Sequence, residues 1–231
     1  MKNAKQYFLG LLFMAVTLAA CNNENRESKG INSGIVYMDY RISGEELKEA
    51  VTILVQFRTG GKNGSTFVLE DGAKVELDGE ELRVDSAGKS GAFYEVQKRL
   101  DEFSGTHTLV FTDAEGNEHA HEFEYSPFTL VEPIAERVQR SDLILNLEGL
   151  DSVALIHVIL TDTAFATDDV NSIDTIKNGR LVIEEERLRG LKSGPVSLQL
   201  FRDKTQRIRN GGRTAGQLFT TYGLRREFEL E

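Results

Sequence analysis

Side chains that commonly carry chemistry are sparse in these 231 residues, and three of the four histidines fall close together, at His107, His119 and His121. Imidazole nitrogens two residues apart on a strand suit a copper or zinc ion. A hairpin turn centred on Glu115 puts His107, Leu109, Phe111, His119, His121, Phe123 and Tyr125 on one face and Glu118, Glu122 and Glu124 on the other. The histidine face is then also the apolar face, and neither carboxylate nor cysteine completes a ligand set. Part-buried rim histidines without a metal are the expectation. Asp162, Asp168, Asp169, Asn171 and Asp174 offer oxygens at short spacing, as calcium requires. Ile173 occupies a position where a further ligand is needed and no glycine follows it, so a solvated acidic loop is expected instead. Gly88-Lys89-Ser90 lacks the earlier glycine of a phosphate-binding loop, because Arg83 stands there. No H-E-x-x-H, G-x-S-x-G or G-x-G-x-x-G occurs, and the absence of tryptophan weakens a sugar-stacking platform. These observations predict no catalytic residue and no cofactor.

Two stretches point to binding. Lys204, Arg207, Arg209 and Arg213 lie between Lys204 and Gly216, expected as a long late loop where the first half of the chain has only the short Ala114–Asn117 turn. On a chain of net charge −10, such a basic spot fits a phosphorylated or carboxylated glycan, a lipid headgroup or an acidic protein face; the alternative is a solvated hairpin tip. Val153 to Leu160 is apolar on both faces of its strand, which leaves Leu155, His157 and Ile159 in an outer row needing cover. Either the first domain or a partner protein would supply it.

The elements behind these residues read as strands. Val51, Ile53, Val55 and Phe57 alternate, and turn signals recur at Thr59–Gly64, Glu70–Gly72, Asp78-Gly79 and Asp113–Asn117. Arg99–Gly105 with Leu109–Asp113 has a counterpart in Arg187–Gly194 with Leu198–Asp203, and Leu47–Val55 resembles Leu150–Val158. The expectation is all-β, with two tandem sandwiches over residues 31–130 and 131–231.

Ahead of them, Lys2, Lys5 and an apolar run from Tyr7 to Ala20 read as an export signal over residues 1–20, too short for the ~20 apolar residues of a spanning helix. Residues 21–30 form a polar tether. Leu18-Ala19-Ala20-Cys21 resembles the lipobox of bacterial lipoproteins, in which the cysteine, here the chain's only one, becomes the lipid-modified N-terminus. Lys74–Leu82, Tyr94 and Gly105–Asn117 resemble the Ig-like domains of Bacteroidota-type lipoproteins. Asp85-Ser86-Ala87, Asp151-Ser152-Val153, Asp162-Thr163-Ala164 and Asp174-Thr175-Ile176 resemble the O-glycan acceptors of the same group. The resemblance implies tandem Ig-like β-sandwiches attached to the cell outer membrane by lipid on Cys21, with Asn22 where an inner-membrane retention signal would have Asp. Loss of Lys2 and Lys5 takes the charge from −10 to −12, which disfavours nucleic acid as a partner. The expected function is a binding, adhesion or assembly module without enzymatic activity, facing an envelope protein or an anionic glycan. The alternatives are an accessory subunit of an outer-membrane uptake or secretion complex, and a hydrolase whose catalytic residues escape motif reading.

Overall fold

The computed structural model describes residues 36–86, 91–164, 166–210 and 214–231. Cys21, the tether, Gly88-Lys89-Ser90 and Arg213 lie outside them. The first half supplies β1 (Val36–Glu45), β2 (Ala50–Thr59), β3 (Thr66–Phe67), β4 (Lys74–Leu77), β5 (Glu80–Glu81), β6 (Val84–Ser86), β7 (Ala92–Arg99), β8 (Gly105–Thr112) and β9 (Glu118–Tyr125). The second supplies β10 (Thr129–Leu130), β11 (Arg137–Val138), β12 (Leu143–Glu148), β13 (Val153–Asp162), β14 (Val170–Lys177), β15 (Arg180–Ile183), the short helix α1 (Glu185–Arg189), β16 (Gly194–Asn210) and β17 (Thr214–Leu230).

Period-two patterning decides which face of each strand turns inward. Met38, Tyr40 and Ile42 of β1 and Val51, Ile53, Val55 and Phe57 of β2 are fully buried. They meet Val75, Leu77, Leu109, Phe111, Phe123 and Tyr125 of the sheet β5-β4-β8-β9, with Phe57 and Phe111 ring centroids 4.8 Å apart. In the second half, Leu145, Leu147, Leu181 and Ile183 face Ile156, Val158, Leu160, Val196, Leu198, Leu200 and Phe228. Its two layers join through the single pair Lys177↔Arg180, across a turn in which Asn178 (φ 50°) and Gly179 (φ 74°) take the left-handed backbone. Asp78-Gly79 turns in the same way, and both pairs suit two-residue hairpins because these residues tolerate positive φ. The protein is all-β, with sheets packed as sandwiches.

The two alignments read as a repeat differ in the strand neighbours they meet. β8 pairs antiparallel with β4 and β9, and β16 likewise with β13 and β17. Leu47–Val55 and Leu150–Val158 do not correspond, since β2 lies between β1 and β7 whereas β13 lies between β14 and β16. Alternating apolar residues mark both as strands but carry no information about neighbours.

The largest departure from the sequence expectation is the β16–β17 hairpin, paired continuously from Gly194↔Leu230 to Asn210↔Thr214. The proximal part of β16 pairs with β13, and the end of β17 pairs in parallel with β11. Beyond Phe201 the hairpin leaves the second sandwich, and the first half of β17 pairs in parallel with β1, from Val36↔Thr214 to Glu45↔Gly223. One sheet therefore runs through both sandwiches, and residues 204–210 are strand where a loop was expected.

Candidate binding surfaces

At the joint, the inward row of β16 changes from Val196, Leu198 and Leu200 to Arg202, which is 6% exposed. A buried guanidinium needs partners. Arg202 donates from Nη1 to the carbonyls of Ser126 and Gly149, each at 3.1 Å, and from Nη2 to Asp151 Oδ2 at 3.1 Å. Lys204 Nζ lies 3.1 Å from the same carboxylate oxygen, and Lys204 holds Asp151 below its ordinary pKa, with Arg202 adding to the effect. Lys204 thus belongs to the joint as well as to the basic stretch. Behind it, Tyr222 packs edge-on against Phe128 (5.4 Å) and Tyr125 (6.3 Å), and Tyr125 Oη donates to the Thr221 carbonyl at 3.4 Å. Burial pushes the Tyr222 phenol up to about 12. Glu46 accepts from Arg226 and, at 3.1 Å, from Thr129 Oγ1, which ties the β1–β2 turn to the second sandwich. Of these joint residues the sequence pointed to Lys204, Asp151 and Tyr125 for other reasons, and to Arg202, Tyr222, Phe128, Glu46 and Arg226 not at all. The available signal was the charged Arg202 on an otherwise apolar alternating row.

Arg207 and Arg209 are exposed on β16, opposite Gln217 and Ala215 of β17. Neither makes an ion pair among the described residues. Leu155, His157 and Ile159 do share the outer face of β13, as expected. The first sandwich does not cover them, however: Leu155 is 58% exposed, and on the same face Val153 and Ile173 are 60% and 69% exposed. The first sandwich instead meets the second through the hairpin and the linker, at the end of β13 rather than over its face. His157 Nε2 and Asn171 Oδ1 are 2.7 Å apart, and the His157 ring lies 6.2 Å from Phe201, so the row Ile173–His157–Phe201 crosses three strands.

The histidine hairpin follows the expected register, with Leu109↔His121 and Phe111↔His119. The three imidazoles are nevertheless separately engaged. His107 stacks on Phe103 at 3.8 Å and reaches Asp78 at 2.7 Å; His119 stacks on Phe111; His121 lies 5.9 Å from the Tyr40 ring. Burial holds the His121 pKa down, with His119 contributing. In the acidic loop, Asp162 accepts from the backbone N–H groups of Ala166 and Thr167, each at 2.9 Å, and from Thr167 Oγ1 at 2.5 Å. Asp174 is taken by Arg187 at 2.6 Å. These carboxylates hold local structure, and among the described residues no group of three His, Cys, Asp or Glu side chains is placed to hold a metal ion. A cleft of about 680 Å³ opens beside the joint between Glu46–Glu49, Arg99–Asp101, Ser104 and Pro127. Its charges are mixed, and Glu46 is already engaged by Arg226. Among the described residues no helix is long and apolar enough to cross a membrane.

No family model matches the sequence, and no curated protein matches it. Similar solved structures include DIP-gamma IG1+IG2, at 11% identity over 83% of this chain and 96% of that one, TM-score 0.24. The Yersinia pseudotuberculosis adhesin InvE is 13% identical over 84% of this chain and 61% of that one, TM-score 0.23. A Bacteroides ovatus mixed-linkage glucan utilization locus protein, SGBP-B, in complex with a mixed-linkage heptasaccharide, is 10% identical over 82% of this chain and 60% of that one, TM-score 0.22. Likeness at this level identifies neither a ligand nor an activity.

Proposed function

We propose that the protein is a binding, adhesion or assembly module without enzymatic activity of its own, held at the outer membrane by lipid on Cys21 and related to the tandem Ig-like lipoproteins it resembles. The observation that carries this reading is the continuous sheet through both sandwiches, whose outer face exposes Val153, Leu155 and Ile173 at 58–69%. A stiff body with an uncovered apolar row suits holding a partner in a fixed orientation. Lys2, Lys5, the apolar run and Cys21 supply the argument for export and lipidation. Replacing Cys21 with Ser is expected to strand the protein unprocessed or release it from membranes, measured by fractionation and intact mass. A normal mature, membrane-bound form would remove lipidation from the reading.

The same row favours a second, narrower reading, in which the protein is an accessory subunit of an outer-membrane uptake or secretion complex. Its partner would cover Leu155 and Ile173. Pull-down from detergent-solubilised membranes, compared between wild type and Leu155→Asp/Ile173→Asp, tests it. The expected result is a specific protein recovered with the wild type and lost from the variant; identical recoveries would exclude this face.

A further inference from the structure

The outer face of the first sandwich's larger sheet is assembled by cross-strand register. Arg209, Ala215, Tyr37 and Arg58 stand abreast on β16, β17, β1 and β2. Two residues along, the row is Arg207, Gln217, Asp39 and Gln56; after it come Thr205, Phe219, Arg41 and Leu54. Met38, Tyr40 and Ile42 between these positions point into the core, so all three rows lie on the opposite, outward face. Four guanidinium groups are thereby gathered on one sheet face about 14 Å across, with rows about 7 Å apart along the strands. The segments that supply them are widely separated in sequence.

The β1 and β2 side of this surface is also pre-organised. Asp39, the only acid in the three rows, is 3% exposed; it accepts from Arg41 Nη2 at 2.9 Å and Gln217 Nε2 at 3.1 Å, which holds both outward groups in place. Arg58 is steadied by Gln56 Oε1 at 2.8 Å and the Gly64 carbonyl at 3.3 Å, while its buried Nε has no hydrogen-bond partner among the described residues. Arg207 and Arg209 are exposed and form no ion pair among the described residues. Tyr37 and Phe219 are part-exposed between the cations, and Tyr37 lies close enough to Arg58 and Arg41 to feel their charge. Glu95 on β7 and Asp203 on β16 mark where the basic character ends.

We infer that this face, formed by Tyr37, Arg41, Arg58, Arg207, Arg209 and Phe219, binds an anionic polysaccharide carrying carboxylates or sulfates. Planar guanidiniums held in rows match such groups bidentately, and the two rings offer apolar surface to the C–H faces of sugars. An array of several cations spread over four strands suits an extended polyanion better than a single phosphate. An acidic peptide would sooner add to a strand edge, where backbone hydrogen bonding is available. The inference rests on the extracytoplasmic binding role proposed above, but its test needs neither membrane attachment nor a protein partner, so the two fail separately.

Binding of oligogalacturonate, dextran sulfate, neutral dextran and polyglutamate to the full-length protein in detergent is measured by calorimetry. The expected result is binding of a charged glycan and not of neutral dextran, weakening as salt rises because exposed charges are screened over ~10 Å at 0.1 M; the two charged probes show whether carboxylate or sulfate is preferred. Arg207→Ala/Arg209→Ala should lower affinity roughly tenfold with an unchanged thermal midpoint, and Tyr37→Ala should weaken glycan binding without weakening any polyglutamate binding. Arg225→Ala, on the second sandwich, should change nothing. If the double variant lowers the midpoint, Arg209→Gln alone, expected to cost roughly threefold, carries the test. Absence of charged-glycan binding, unchanged affinity in the arginine variants, or tighter binding of polyglutamate than of either glycan would overturn the inference.

Discussion

Arg202 makes its contribution by satisfying acceptors. Its guanidinium takes up two backbone carbonyls of different segments and one carboxylate, at 3.1 Å each, and no other described cation joins the linker to the shared hairpin in this way. Arg202→Met keeps most of the aliphatic volume but orphans both carbonyls, so a loss of about 2–4 kcal/mol is expected, measured by denaturant titration. A change below about 0.5 kcal/mol, the range of ordinary surface substitutions, would show that water replaces the guanidinium without cost. His121 makes a pH-dependent contribution. Burial lowers its folded pKa, so the unfolded chain binds the proton more readily; stability is fully present above the unfolded value of about 6.5 and is lost as pH falls toward the folded value. His121→Gln should flatten the fall in thermal midpoint between about pH 7 and pH 5. An equally steep fall in the variant would assign it to other groups.

At the scale of elements, one hairpin does the work of two. The distal half of β17 completes the sheet of the first sandwich and its proximal half that of the second, so seventeen residues serve two cores. At Gly216 the β17 backbone lies close against β1: a Cβ there would strike the carbonyl oxygen of Met38. Gly216→Ala is expected to push β1 from β17, costing about 1–3 kcal/mol by overpacking and speeding amide exchange along Val36–Glu45. Unchanged exchange in β1 would mean that the strands absorb the methyl without parting. β16 beyond Phe201 has β17 on one side and no described strand on the other, and the exposed Asp203, Lys204, Arg207 and Arg209 protect that open edge against indiscriminate pairing. Edge protection and polyanion binding are compatible roles for the same arginines, since the first uses charge alone and the second needs the rings and rows beside it.

For the molecule as a whole, a shared sheet and a shared aromatic cluster at Tyr125, Phe128 and Tyr222 leave little for a flexible linker to do. The two sandwiches are expected to unfold in one calorimetric transition, because melting either removes strand partners from the other; two separated transitions would show that the shared hairpin frays without coupling them. Limited proteolysis near Pro133 should be slow in the wild type and faster in Arg202→Met. Substituting Ile159, part-buried on the outer face of β13, should leave that rate nearly unchanged, since the first sandwich does not rest on it.

The strand identity of the alternating apolar segments, the turns at Asp78-Gly79 and Asn178-Gly179, and the register of the histidine hairpin were determined by local sequence. Each follows from period-two burial or from the backbone freedom of two residues, and both signals are complete within a dozen positions. The exposed apolar row at Leu155 was legible for the same reason, because its alternation lacks the polar half. The sequence alone left open which strands are neighbours, and there the repeat alignment misled: β2 and β13 share a pattern but not a place. It could not show that Lys204–Asn210 continues as strand into the first sandwich, since polar residues there look like a loop until β1 supplies hydrogen-bond partners for β17. Nor could it show that Arg41 and Arg58 stand beside Arg207 and Arg209, because that proximity exists only through the parallel pairing of β1 with β17, a contact between segments some 180 residues apart. Long-range pairing of this kind is selected by the free energy of the whole packed sheet, which no local pattern contains.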